Sequence, residues 1–342
     1  MRVLVCLFIG ALCLESQQKP PQTGDSPATA QVPIFKGGVQ EVIVPVTVTD
    51  EKGKFVSDLV QSDFQILDQG KTQNIQYFSR ERAQPVVVGI LVDLSNNSRT
   101  HWKQYQDAAM ELANTLLPGD KRYSGYLIGY GSEAELMINT TTDGEKIMDK
   151  IRKLKPGGGS ALYDAIYTAC TKRSLVQGEP VDPRRVVVVI GDGNDNSSSK
   201  TLDQVVELAQ RNLVTVYGIS TAAYGFEASG DPSLVRLAKE TGGRVEYPLV
   251  NPYTDVSGYL STPSDDGNYA LTVGSGGYGS AIASSIFRSV ANIAGEVTTQ
   301  YILRYVPEVA AESIKQYRNI EVKVALPNVT VRARKGYYPF TP

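Results

Sequence analysis

The sequence predicts an α/β fold in which a doubly wound, mostly parallel sheet is inserted into a small all-β sandwich formed by the N- and C-terminal segments. Three observations predict it. Residues 85–92 are continuously apolar, as in a strand buried on both faces of a parallel sheet. Similar runs recur downstream, alternating with segments of helical period. Both flanks instead alternate apolar and polar residues with a period of two.

Taken from the beginning, Arg2 is followed by an unbroken apolar run over residues 3–14. That length suits a signal-peptide core and is too short to span a bilayer. A signal peptide over 1–16 is therefore expected. A linker follows over 17–36, rich in Gln, Pro, Thr, Ser and Ala, whose composition cannot continue a packed element. The plain alternative, a buried strand or helix start, has no continuation. The expected destination is the periplasm, the cell surface or the medium. Cys13 raises a lipid anchor, but Leu12 stands where lipoprotein signals have a small residue, so the anchor is not favoured; membrane contact would come only through it. Cys6 and Cys13 both lie in this segment, which leaves Cys170 alone in a mature chain and excludes an internal disulfide there.

In residues 37–80, Val42, Val44, Val46 and Val48 share one face, and further period-two pieces follow at 64–67 and 75–78. Residues 84–297 form the α/β domain. Its strands are expected at 85–92, 126–130, 185–190, 214–219 and, more weakly, 244–247. Its helices are expected at 102–117, 145–154, 161–174, 202–212, 232–241 and 280–294, with an antiparallel edge at 133–138. Cys170 falls on the apolar face of one helix and reads as a buried, inert thiol. Residues 250–279 are rich in Tyr, Gly, Ser, Asp and Pro and read as an exposed insertion. Its Tyr253, Tyr259, Tyr269 and Tyr278 have the composition of adaptable protein-binding loops; a disordered loop is the equal alternative. Residues 298–342 return to period two. Neither β flank alone has enough strands for a stable sheet, so the two are expected to pack together.

Composition narrows the function. A formal net charge of −2 and a pI near 5.7 provide no basic field, so nucleic acid is not an expected partner. Any function must come from a local site, and in doubly wound sheets sites form beyond the carboxyl ends of the strands.

Three such loops carry oxygen-rich residues. Asp93-Leu94-Ser95-Asn96-Asn97-Ser98 follows the first buried strand, Gly157-Gly158-Gly159-Ser160 opens a helix, and Gly191-Asp192-Gly193 ends another strand. A hard dication such as Mg²⁺, with Mn²⁺ or Ca²⁺ as alternatives, takes oxygen ligands of this kind. Hydroxyls with only two carboxylates would leave it partly unneutralised, free to attract a carboxylate from another molecule.

This arrangement resembles the metal-ion-dependent adhesion site of von Willebrand factor type A (vWA) domains, a Rossmann-like fold. That pattern has Asp-x-Ser-x-Ser on the first loop, Thr on the second and Asp on the third. The resemblance assigns Asp93, Ser95 and Asn97 to the first loop, Ser160 to the second and Asp192 to the third. Asn97 departs from Ser and offers a carbonyl oxygen on a longer arm, with Ser98 as a substitute ligand or a weak site as the alternatives; Ser160 departs from Thr and keeps the hydroxyl. The flanks, at 46–50, 63–64, 298–301 and 334–338, are similar to the VWFA-related proteins abundant in Acidobacteria. The resemblance implies an exported, non-enzymatic adhesion protein whose bound cation engages an acidic group of a protein partner.

Alternatives stay open at this point. An Asp after a strand commonly caps a helix, and a triple glycine can be only a flexible turn. The site could be vestigial within a structural envelope module. Metal-dependent hydrolysis by Asp93 and Asp192, with Asp195 as a third carboxylate or merely a solvated turn residue, is the enzymatic rival. A Ser-His-Asp mechanism would have to use His101, the one histidine of the chain, and no Gly-x-Ser-x-Gly elbow or phosphate-binding Gly-x-x-x-x-Gly-Lys-Ser/Thr loop occurs.

Overall fold

Alternating valines make the first described segment a strand, β1 (Val42–Asp50), followed by β2 (Phe64–Asp68), β3 (Lys71–Gln73) and β4 (Tyr77–Ser79). The structure, a computed structural model, describes residues 41–80, 85–99, 102–171, 183–221, 231–248, 266–307 and 316–339, with only the backbone given at Asp231, over 266–279 and at Ala281. All belong to the unit Gly38–Pro342.

The α/β part begins with β5 (Val86–Asp93), every residue of which is buried, as its continuous apolar run requires. The chain continues through α1 (Trp102–Leu116), β6 (Tyr123–Tyr130), β7 (Ala134–Thr141), α2 (Gly144–Ile151) and α3 (Leu162–Thr171). It then forms β8 (Arg184–Gly191), α4 (Leu202–Arg211), β9 (Val214–Ser220), α5 (Asp231–Thr241), β10 (Val245–Glu246) and α6 (Asp266–Thr299).

The sheet order is β10-β9-β8-β5-β6-β7, parallel throughout except for the antiparallel edge β7. Successive residues of β5 serve opposite cores. Val86, Val88, Ile90 and Val92 pack with α1, α2 and α6; Val87 and Leu91 pack with α3, α4 and α5. Each such buried side chain contributes about 1.5–3 kcal/mol. The connection leaves β5 toward β6 on one side and returns to β8 on the other, so the topological switch point lies between the carboxyl ends of β5 and β8.

The chain closes with β11 (Tyr301–Tyr305), β12 (Arg318–Val324), β13 (Val329–Ala333) and β14 (Gly336–Tyr337). They interleave with the N-terminal strands in two antiparallel sheets, β13-β1-β11-β4 and β14-β12-β2-β3. A shared core joins Val42, Val44, Val46 and Val48 to Phe64, Ile66, Tyr301, Leu303, Tyr305 and Ile320. This is the sandwich that the two period-two flanks require. Buried Asp68 fastens it, accepting hydrogen bonds from Tyr305 Oη (3.0 Å), Tyr337 Oη (2.9 Å) and Arg318 Nε (2.9 Å).

Sandwich and α/β unit meet at Glu296 of α6, which is fully buried. Its carboxylate accepts from Thr47 Oγ1 (2.9 Å) and Arg332 Nη2 (2.7 Å) on the sandwich side, and from Tyr217 Oη (3.1 Å) and Arg244 Nε (2.7 Å) on the other.

One expectation is corrected. The stretch ending at 279 was expected to be an exposed insertion, with a helix starting at 280; α6 instead starts at Asp266. Glycines and tyrosines signal a loop, but a glycine costs a helix only about 1 kcal/mol, and extending an existing helix is far easier than starting one. The last proline before the helix, Pro263, precedes Asp266, so nothing within 266–279 forbids helical backbone.

Candidate functional site

Asp93 ends β5 at the switch point, and the strand registers choose its neighbours. Asp93 pairs with Tyr130 of β6, while Val92 pairs with Ile190, which sets Gly191 of β8 at its other side. The Asp93 carboxylate is buried: Oδ1 accepts from the Ser95 amide at 2.7 Å, and Oδ2 has no hydrogen-bond partner. Ser95 Oγ is likewise buried without a partner. An unpaired buried polar atom costs about 1–3 kcal/mol, so these two oxygens are held in place by their surroundings against their own preference for water. Burial pushes the Asp93 carboxyl up to about 6, and the charge of Asp192 adds to the rise.

The second loop is a fitted piece. Gly157 donates its amide to Leu94 O, and Asn96 donates its own to Gly158 O, so the triple glycine is stitched along the first loop. Gly158 has φ of 97°, which disfavours any side chain, and a methyl on Gly159 would overlap Ser197 Oγ. Here the glycines serve close approach of three loops, which the flexible-turn alternative does not require. The loop delivers Ser160, whose amide donates to Asn196 Oδ1 (2.8 Å) and whose hydroxyl donates to Asn194 O (2.7 Å). A donating hydroxyl keeps its lone pairs, so Ser160 Oγ can still coordinate a cation.

Asp192, on the third loop, is more fully engaged. Its carboxylate accepts from the Asn194 amide (3.0 Å), Asn194 Nδ2 (2.6 Å) and Asn97 Nδ2 (3.0 Å). Asn97 therefore reaches the site, but it turns its amide nitrogen, not its carbonyl oxygen, toward the carboxylate.

All five residues singled out as cation ligands thus lie on the three adjoining loops at one end of the sheet. The donors are all hard oxygens, and among the described residues no group of three His, Cys, Asp or Glu side chains is placed to hold a metal. Two uncompensated buried oxygens, one of them on Asp93 itself, beside the Asp192 carboxylate suit a hard dication, not a soft transition metal. Of the tyrosines singled out for partner contact, Tyr253 and Tyr259 lie outside the described residues. Tyr269 and Tyr278 fall within helix α6, not on a loop. His101 also lies outside the described residues.

Sequence reasoning missed several members. Tyr130, whose hydroxyl is buried without a partner, reads in sequence only as the apolar end of a strand. Burial and the charges of Asp93, Asp192 and Asp195 push that phenol well above its ordinary value. Asn194 braces Asp192 from two residues away, and Asn194 O and Asn196 Oδ1 hold Ser160 across loops, a role visible only once the loops meet. Asp195 is neither a third site carboxylate nor a solvated turn residue: it accepts from the Tyr163 amide at 2.9 Å, capping the start of α3, and from the Ser198 hydroxyl. Asp164 returns the link by accepting from the amides of Ser199 and Lys200.

Residues 88–194 match the family described as von Willebrand factor type A domain. A UPF0353 protein of Mycolicibacterium paratuberculosis is 26% identical over 169 residues, covering 45% of this chain and 50% of that protein. An uncharacterized protein of Borreliella burgdorferi is 31% identical over 138 residues, covering 34% of this chain and 39% of that protein. The matches thus span half or less of these relatives' own lengths. Among solved structures, an aerotolerance-related membrane protein from Bacteroides fragilis is 17% identical, with a TM-score of 0.39, over 55% of this chain and 97% of that one. The matched segment, 88–194, lies within the α/β unit, whose mostly parallel sheet flanked by helices is a fold like that of von Willebrand factor type A domains.

Proposed function

We propose that the protein is an extracytoplasmic binding or adhesion protein, not an enzyme, that presents a hard dication, Mg²⁺ in the first instance, to a carboxylate of a protein partner. The observation that carries this reading is the pair of buried, partnerless oxygens, Asp93 Oδ2 and Ser95 Oγ, at the switch point beside Asp192. In this reading Asp93, Ser95 and Ser160 hold the cation, Asp192 balances its charge and orients its surroundings, and Asn97 borders it. The cation supplies positive charge at the mouth of the loops; with only two carboxylates nearby, part of that charge is left for an acidic partner. Asp195 is committed to the start of α3, which leaves a hydrolytic centre without a third acidic group.

Export belongs to the same proposal and is supported by the apolar run at residues 3–14. Among the described residues no helix is long and apolar enough to cross a membrane.

A second reading is favoured by one contact. The Asn97–Asp192 hydrogen bond ties the first loop to the third without a cation, as in a structural module with a vestigial site. The two readings separate on a surface bearing a glutamate-containing peptide. A metal-dependent adhesion protein is retained in Mg²⁺, released by chelator, and not retained as Asp93→Ala. Retention unaffected by chelator supports the structural module instead.

A further inference from the structure

The loop that delivers Ser160 also borders a cleft of about 450 Å³, which lies between the β6–β7 turn, α3 and the chain leading into α4. Direct contacts join the cleft to the site. Ser132, on one wall, accepts the Gly159 amide at 3.0 Å, and a methyl on Gly159 would overlap the hydroxyl of Ser197, on another. The cleft therefore opens against the residue that precedes Ser160.

Among the described residues lining it, Lys200 carries the one positive charge. Its ammonium lies over the Tyr167 ring, 4.7 Å from the centroid, and makes no ion pair with a described residue. A lysine on its flexible stem seldom keeps one geometry, but here both ends are fixed. Asp164 fixes the backbone, accepting from the Lys200 amide (3.1 Å), the Ser199 amide (3.0 Å) and the Ser199 hydroxyl (3.1 Å). With its oxygens engaged there, Asp164 holds the residue and not the ammonium. Tyr167, itself 39% exposed, fixes the tip. Glu133, exposed on the β6–β7 turn, is the other carboxylate of the cleft. A positive charge set in place beside the site and left without a carboxylate suits an anionic group arriving from outside.

We propose that this cleft takes a second acidic side chain of the partner: with one carboxylate on the cation, a nearby Asp or Glu of the same segment enters the cleft and pairs with Lys200. This inference rests on the cation-binding reading above and adds that the partner segment is doubly acidic. Glu133 repels the entering group, so Lys200 and Glu133 act on it in opposite directions.

The test is calorimetric titration, in saturating Mg²⁺, of peptides carrying one glutamate or two acidic residues separated by zero to about four positions, each position adding up to roughly 3.3 Å of reach. The chains are wild type, Lys200→Gln, Lys200→Arg and Glu133→Gln, with melting temperature and Mg²⁺ affinity confirming that each variant keeps its fold and its cation site. At one spacing or more, the doubly acidic peptide is expected to bind wild type about threefold tighter than the single-acid peptide, the scale of a partly exposed ion pair. Lys200→Gln loses that gain, Lys200→Arg keeps it, and Glu133→Gln enlarges it. No gain at any spacing, or a gain that survives Lys200→Gln, overturns this inference and leaves the cation-binding reading standing. Absence of Mg²⁺-dependent binding of every peptide overturns both.

Discussion

Asn97 Nδ2 donates to Asp192 Oδ2 at 3.0 Å, joining the first loop of the site directly to the third. The amide nitrogen stands where the type A pattern has a serine oxygen, so this contact competes with a cation for the same carboxylate. Asn97→Ser removes the competitor and supplies a hydroxyl. Its Mg²⁺ affinity is expected to rise about tenfold, or about 1.4 kcal/mol, in calorimetric titration. An affinity equal to or below wild type would show that Asn97 assists the site as it stands.

Asp93→Asn should separate stability from function. The carboxylate is buried with one oxygen unpaired, and Asp192 repels it. Neutralising it removes the buried charge and the repulsion while one amide group stays unpaired in its place, so in chelator the variant is expected to be more stable by about 1 kcal/mol in urea denaturation while binding no Mg²⁺. A loss of stability in chelator would contradict the view that the site is strained for binding.

Gly191→Ala drives a methyl into the position that Tyr130 Oη fills, against Asp93 Cβ. Overpacking of this kind costs about 1–3 kcal/mol. A drop of that size in unfolding free energy is expected, accompanied by loss of Mg²⁺ binding. A variant with wild-type stability would mean that the tyrosine swings aside easily and is not held as described.

Glu296→Ala tests the joint between the two parts of the fold. It leaves the Arg332 guanidinium without its carboxylate beside a buried void, leaves Arg244 with Glu246 alone, and removes an acceptor for Thr47 and Tyr217. Breaking a buried ionic group by deleting one partner costs about 3–5 kcal/mol. Chemical denaturation is the check. A cost under about 1 kcal/mol would show that the joint is held by its other contacts, among them those of Gln300 with Thr47 and Tyr217, and not by Glu296.

Much of this was legible because periodicity reports burial. The run at 85–92 became β5, and the paired period-two flanks became one sandwich, because a strand buried on both faces and a strand buried on one carry different patterns. Asp93, Ser95, Ser160 and Asp192 were legible because strand ends and a glycine-rich helix start are marked in sequence. The start of α6 was not, since glycine lowers helical propensity without forbidding helix, and tertiary context outweighed it. Tyr130, Asn196 and the role of Asp195 were hidden for another reason: each acts across strands or loops far apart in sequence, and spacing along the chain holds no record of such contacts.

The most direct measurement is a calorimetric titration of Mg²⁺ and Mn²⁺ into the folded chain, with Asp93→Ala and Asp192→Ala alongside. One saturable site per chain, abolished by Asp93→Ala and weakened or abolished by Asp192→Ala, is the predicted result. No saturable binding of either ion, or binding that survives Asp93→Ala, would contradict the account.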